Sequence, residues 1–121
     1  MECEIRLEPS MRAPREARGF VSHHLCEFGY LKLVDDAVII VAELVTNAYK
    51  ETPATPIWVD LRLAGGSPLL EVWDCSRNPP VFKEPDFLAT EGRGLHIVDE
   101  LSVRLGWDVF PCGKVVWVLL G

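Results

Sequence analysis

Ala37-Val38-Ile39-Ile40-Val41-Ala42-Glu43-Leu44-Val45-Thr46-Asn47-Ala48-Tyr49 is an apolar run broken by one polar stripe, which Lys50 extends. At about 3.6 residues per turn, Glu43, Thr46, Asn47 and Lys50 fall at i, i+3, i+4 and i+7, so a helix through this segment carries them on one face. Alanine and valine fill the other faces. That composition predicts a largely buried helix, on which a carboxylate needs a partner or a use. An acid and an amide one turn apart can reach the same ligand.

The flanks bound this helix. Asp35 and Asp36 suit its first turn, where carboxylates interact well with the helix dipole, and Thr52-Pro53-Ala54-Thr55-Pro56 ends it. Upstream, Pro14 suits the first turn of another helix running to Gly29, a residue fitted to a C-terminal stop; its apolar positions are Ala17, Phe20, Val21, Leu25 and Phe28. Cys3 to Leu7 alternates as a short strand. Downstream, Ile57 to Leu63 and Leu69 to Trp73 repeat a two-residue period around Ala64-Gly65-Gly66-Ser67, which predicts an antiparallel hairpin. By parity Asp74 continues the series Leu70, Val72, so a carboxylate stands at the end of that strand's inner face. The proline-rich stretch from Cys75 to Thr90 reads as a loop, a third helix is expected from Arg93 to Val103, and a second hairpin from Trp107 to Phe110 and Val115 to Leu120, turning at Pro111-Cys112-Gly113-Lys114. These elements predict one α+β domain over residues 1–121. It is a two-layer α/β sandwich in which about three helices cover one face of a mixed, mostly antiparallel sheet.

Composition narrows the function. The chain of 121 residues is 49% hydrophobic and 25% charged, with a net charge of -6. That acidity argues against a nucleic-acid phosphate partner, which calls for a basic face. No apolar stretch approaches the roughly 20 residues of a membrane span, and Met1-Glu2-Cys3-Glu4-Ile5-Arg6 does not resemble a secretory leader, so a cytoplasmic location is expected. The four cysteines Cys3, Cys26, Cys75 and Cys112 form no Cys-x-x-Cys pair, and reduced thiols without zinc are expected. Gly92-Arg93-Gly94-Leu95 opens the third helix. A glycine-rich helix start exposes backbone N–H groups at the positive end of a dipole and suits phosphate.

The order and spacing of Glu43-x-x-x-Asn47, Asp74-x-Ser76 with Pro79 downstream, and Gly92-x-Gly94-Leu95 resemble the nucleotide-binding boxes of the GHKL superfamily, the Bergerat-fold ATPases and kinases. Within it the likeness is to the small bacterial anti-sigma-factor serine/threonine kinases and their single-domain regulatory relatives. It runs through Pro14-Arg15-Glu16-Ala17-Arg18-Gly19-Phe20-Val21, Glu43-Leu44-Val45-Thr46-Asn47-Ala48, Val72-Trp73-Asp74 and Gly92-Arg93-Gly94-Leu95-His96-Ile97-Val98-Asp99.

The resemblance implies ATP and Mg2+ as cofactors. Asn47 matches the amide that ligates Mg2+, a hard ion that prefers oxygen. Glu43 matches the general base for phosphoryl transfer. Asp74 matches the acid that takes a hydrogen bond from the adenine amino group, with Ser76 beside it in the same box. Gly92 and Gly94 match glycines facing the phosphates, Leu95 packs into the core, and Lys50 and Arg93 lie near the phosphate site. Residues 75–91 would form a lid. The implied activity is an ATP-dependent protein serine/threonine kinase acting on an anti-sigma-factor antagonist, and the alternative is a protein-binding module without phosphotransfer, with or without nucleotide. The implied partners are that antagonist, a sigma factor, or both; the first helix and neighbouring surfaces would bind sigma factor and promote homodimer formation, and Arg15 and Arg18 would meet an acidic partner. One departure stands out: family adenine boxes read Asp-x-Gly-x-Gly, and this chain has Asp74-Cys75-Ser76-Arg77-Asn78.

Overall fold

The computed structural model describes residues 1–80 and 94–121. Chain order is β1 (Glu2–Leu7), α1 (Ala13–Glu27), a short 3-10 turn (Leu31–Leu33), α2 (Val34–Glu51), β2 (Ile57–Ala64), β3 (Ser67–Asp74), α3 (Gly94–Leu101), β4 (Arg104–Phe110) and β5 (Gly113–Leu119). The five strands form one sheet in the order β1-β2-β3-β5-β4, and each neighbouring pair is antiparallel. The α+β two-layer sandwich expected from the periodicities is the architecture found, although the sheet is antiparallel throughout where a mixed one was expected.

Local chemistry accounts for the boundaries. α1 stops at a Schellman turn: Gly29 takes φ +87°, its N–H donates to the Cys26 carbonyl at 3.2 Å, and the Tyr30 N–H donates to Leu25 at 2.8 Å. α2 holds Asp35 and Asp36 in its first turn and ends where Thr52 donates both its N–H and its hydroxyl to the Ala48 carbonyl. Gly65 and Gly66, at φ +60° and +85°, close the β2–β3 hairpin as a two-residue turn of the kind that matches the strand twist.

The helices cover one face of the sheet. α2 lies between α1 and α3 and packs on β2 and β3. Ala17, Val21 and Leu25 of α1, Ile40, Val41, Leu44 and Val45 of α2, and Val98 of α3 meet Val59, Leu61, Leu70, Val72, Val116 and Val118 from the strands in one core. Every second strand residue points the other way. On that outer face the Trp117 ring lies over Gly106 so closely that a Cβ there would come within 2.1 Å of it, and Trp73 stacks on Phe110 with ring centres 5.7 Å apart.

Two boundaries differ from expectation with consequences for the site. β4 begins at Arg104 and β5 at Gly113, each earlier than the apolar alternation suggests, because ladder pairing extends through Arg104, Gly106, Gly113 and Lys114, which interrupt that alternation. Lys114, expected in the turn, is therefore a strand residue. It pairs with Val109 on one side and with Asp74 on the other.

Candidate functional site

The polar stripe of α2 is a real face. Glu43, Thr46 and Asn47 are half-buried and Lys50 is exposed, while Leu44, Val45 and Ala48 are buried among the core residues. Glu43 is thus less enclosed than the apolar run suggested. Its stripe lies along the side of a helix whose opposite side alone is sealed. Neither Glu43 nor Asn47 has a hydrogen bond or ion pair with another described side chain.

One turn beyond Asn47, Glu51 joins the stripe to the loop after β3. Its Oε2 accepts a hydrogen bond from the Ser76 hydroxyl at 3.3 Å and from the Asn78 side-chain N–H at 3.5 Å. The Asn78 backbone N–H donates in turn to the Ser76 hydroxyl at 3.1 Å. Ser76 is buried and gives this loop its side-chain anchor. Glu51 was not singled out in the sequence, because the tie depends on where the loop folds back and not on any local pattern.

Asp74 ends the inner face of β3, as its parity required, and is buried. Both its carboxylate oxygens are engaged. The Lys114 ammonium donates to Oδ1 at 3.0 Å and to Oδ2 at 2.9 Å, and the Ser76 backbone N–H donates to Oδ1 at 2.8 Å. The two side chains are only 3% and 5% exposed. The backbone is equally tight there. Gly113, at φ +155°, passes so near the Asp74 carbonyl oxygen that a Cβ would stand 2.0 Å from it. Only glycine lets β5 start this close, and that closeness sets Lys114 opposite Asp74.

Leu95 belongs to the core cluster and Gly94 is the first residue of α3. Gly92, Arg93 and residues 81–91 of the expected lid lie outside the described residues. The structure therefore brings the end of the α2 stripe, through Glu51, to the Asp74–Asn78 loop. Among the described residues no hydrogen bond links Glu43 or Asn47 to Asp74 or Ser76.

These residues answer differently to ATP and Mg2+. Glu43 and Asn47 offer oxygens one turn apart on a half-buried face, a donor set that suits a hard cation such as Mg2+. Asp74 does not fit the adenine end, since its carboxylate is enclosed and already holds a cation.

A second polar cluster sits on the outer face of the sheet, the face the helices leave uncovered. Glu2, Glu4, Asp60, Arg62 and Glu71 line a hollow of about 250 Å³. Asp60 and Glu71 are direct cross-strand partners, and Arg62 donates its Nε–H to Glu71 at 2.7 Å. Burial, followed by the facing Glu71 carboxyl, pushes Asp60 up to about 7, although the Trp73 ring N–H donates to its Oδ2 at 3.1 Å.

No protein-family model matches the chain, and no curated protein matches it in sequence. Among solved structures it is similar to the RsbU and RsbW domains of Rv1364c from Mycobacterium tuberculosis, with a TM-score of 0.74 and 22% identity. The two share a fold. The match covers 99% of this chain and 32% of the other, so this chain spans about a third of that one's length. The chain folds as the two-layer α+β sandwich of the Bergerat type. None of its described helices is long and apolar enough to cross a membrane.

Proposed function

We propose that this chain is a regulatory protein of the anti-sigma type that acts by holding a protein partner, either a sigma factor or the antagonist that competes with one. The observation that carries the reading is the similarity of almost the whole chain to a structure containing an RsbW domain. It agrees with the Glu43-Leu44-Val45-Thr46-Asn47-Ala48 and Gly94-Leu95-His96-Ile97-Val98-Asp99 segments read from the sequence. The acidic net charge of -6 fits a protein partner better than a nucleic acid. Exposed Arg15 and Arg18 on α1 supply a local basic surface for an acidic partner.

A second reading adds phosphotransfer, making the chain a protein serine/threonine kinase for its antagonist. It is favoured by one feature, the half-buried Glu43 and Asn47 with no described side-chain partner. Bound MgATP would supply the phosphoryl group and the metal's charge, with Asn47 offering an amide oxygen to the ion and Glu43 a carboxylate to accept a hydroxyl proton.

The test is a binding screen of the purified chain against the sigma factors and antagonist proteins of its own source, followed by transfer of labelled γ-phosphate to whichever antagonist binds. A one-to-one complex at micromolar concentration supports the proposal, and label on a serine or threonine of the antagonist supports the second reading. A chain that binds none of these proteins overturns both.

A further inference from the structure

We propose that Lys114 removes adenine selection from the Asp74–Asn78 loop beside α2, so that partner binding by this chain runs without an adenine nucleotide. The inference rests on reading this loop and the α2 stripe as the working site of the proposed function. A carboxylate selects adenine by accepting a hydrogen bond from its exocyclic amino group. To do so it must be reachable and must lack a stronger donor. Asp74 meets neither condition. Its side chain is 3% exposed, and the Lys114 ammonium binds both its oxygens at 2.9 and 3.0 Å. The Lys114 contacts join two ions through both carboxylate oxygens, whereas an adenine amino group would offer one neutral donor in their place.

Three further contacts hold the arrangement closed. The Ser76 N–H occupies Oδ1, Glu51 takes up the Ser76 and Asn78 side chains, and Gly113 brings β5 against the Asp74 backbone. Opening the pair for a ligand would strand a buried ammonium as well as a buried carboxylate, because Lys114 is 5% exposed and its strand position is fixed by pairing with both β3 and β4. The cation that a ligand would have to displace is part of the chain. The phosphate end is not affected by this argument, since Glu43 and Asn47 remain half-buried and without a described partner.

Calorimetric titration of the wild-type chain with MgATP and, separately, with MgGTP tests the proposal. No binding at millimolar nucleotide, or binding of both nucleotides with affinities within about threefold, is expected. ATP bound at least about tenfold tighter than GTP overturns it. Lys114→Ser provides the second arm. It removes the ammonium, so the variant, once a melting curve shows that it folds, is expected to gain preference for ATP. A folded Lys114→Ser chain with no more ATP preference than the wild type also overturns the proposal. If the variant does not fold, the wild-type titration still decides. Partner affinity measured with and without MgATP separates the two readings: equal affinities support nucleotide independence, ATP-dependent affinity overturns it, and failure to bind any partner counts against the proposed function alone.

Discussion

Lys114→Met deletes the ammonium while keeping a chain of similar length in place, and its cost follows from the burial of the pair. Were Asp74 and Lys114 on the surface, their contact would contribute about 0.2–1 kcal/mol, and removing it would hardly move the melting temperature. They are instead 3% and 5% exposed, with two charge-assisted hydrogen bonds at 2.9 and 3.0 Å. The variant leaves an enclosed carboxylate with the Ser76 N–H as its remaining described donor. Breaking a buried pair from one side costs about 3–5 kcal/mol, because the partner's desolvation is no longer offset. For 121 residues, with an unfolding entropy of about 2.1 cal/mol/K per residue, that corresponds to a fall in Tm of about 12–20 °C. The variant should still fold at low temperature, since domains of this size are stable by about 5–15 kcal/mol. Asp74→Asn combined with Lys114→Met removes both charges and keeps an oxygen for the Ser76 N–H. The double variant should recover about 2 kcal/mol or more of the loss, a coupling of the size expected for residues in direct contact. Thermal and urea melts of the four proteins measure this cycle. A Lys114→Met loss below about 1 kcal/mol would refute the enclosed pair, as would additivity of the two single substitutions.

Gly113→Ala should cost about 3 kcal/mol in a urea melt, because the added Cβ meets the Asp74 carbonyl oxygen at 2.0 Å and backbone, not a side-chain tip, must move. Gly106→Ala should cost about 1–3 kcal/mol and perturb the Trp117 fluorescence, since the new methyl meets that ring at 2.1 Å. Asp60 is held up to about 7 by burial and by Glu71, so the folded chain keeps a proton there that the unfolded chain releases near 3.8. Its contribution to stability is therefore fully present below the unfolded value and is lost as pH rises through about 7. Asp60→Asn should flatten that fall and, with the shift discounted for partial solvent exposure, stabilise the chain by about 1 kcal/mol at pH 8, measured by melts across pH. Glu43→Gln should change stability by less than about 0.5 kcal/mol and leave partner binding intact, while abolishing any phosphotransfer; transfer at the wild-type rate would remove Glu43 from the role of base.

What could be read from the chain, and what could not, divides by the distance over which the deciding interaction acts. Periodicity placed α2 and its stripe because spacings of three and four residues on a helix are local, and Gly29 and Gly65-Gly66 announced their turns because left-handed backbone is a property of single residues. Parity alone put Asp74 on the inner face of β3. It also puts Lys114 on the inner face of β5, in step with buried Val116 and Val118. The missing quantity was register. Whether β5 begins at Gly113 or at Val115 decides whether Lys114 is a solvated turn residue or the partner of Asp74, and apolar alternation is silent there because an ion pair, not a hydrophobic side chain, fills that inward position. The same limit hid Glu51, an exposed residue whose tie to Ser76 forms only because the loop after β3 returns to it. A carboxylate at the inner end of a strand can serve a ligand or another part of its own chain, and those uses look identical until the strand beside it is in register. Here the neighbouring strand supplies the cation, so the residue that most suggested a nucleotide is the one most firmly committed to the fold.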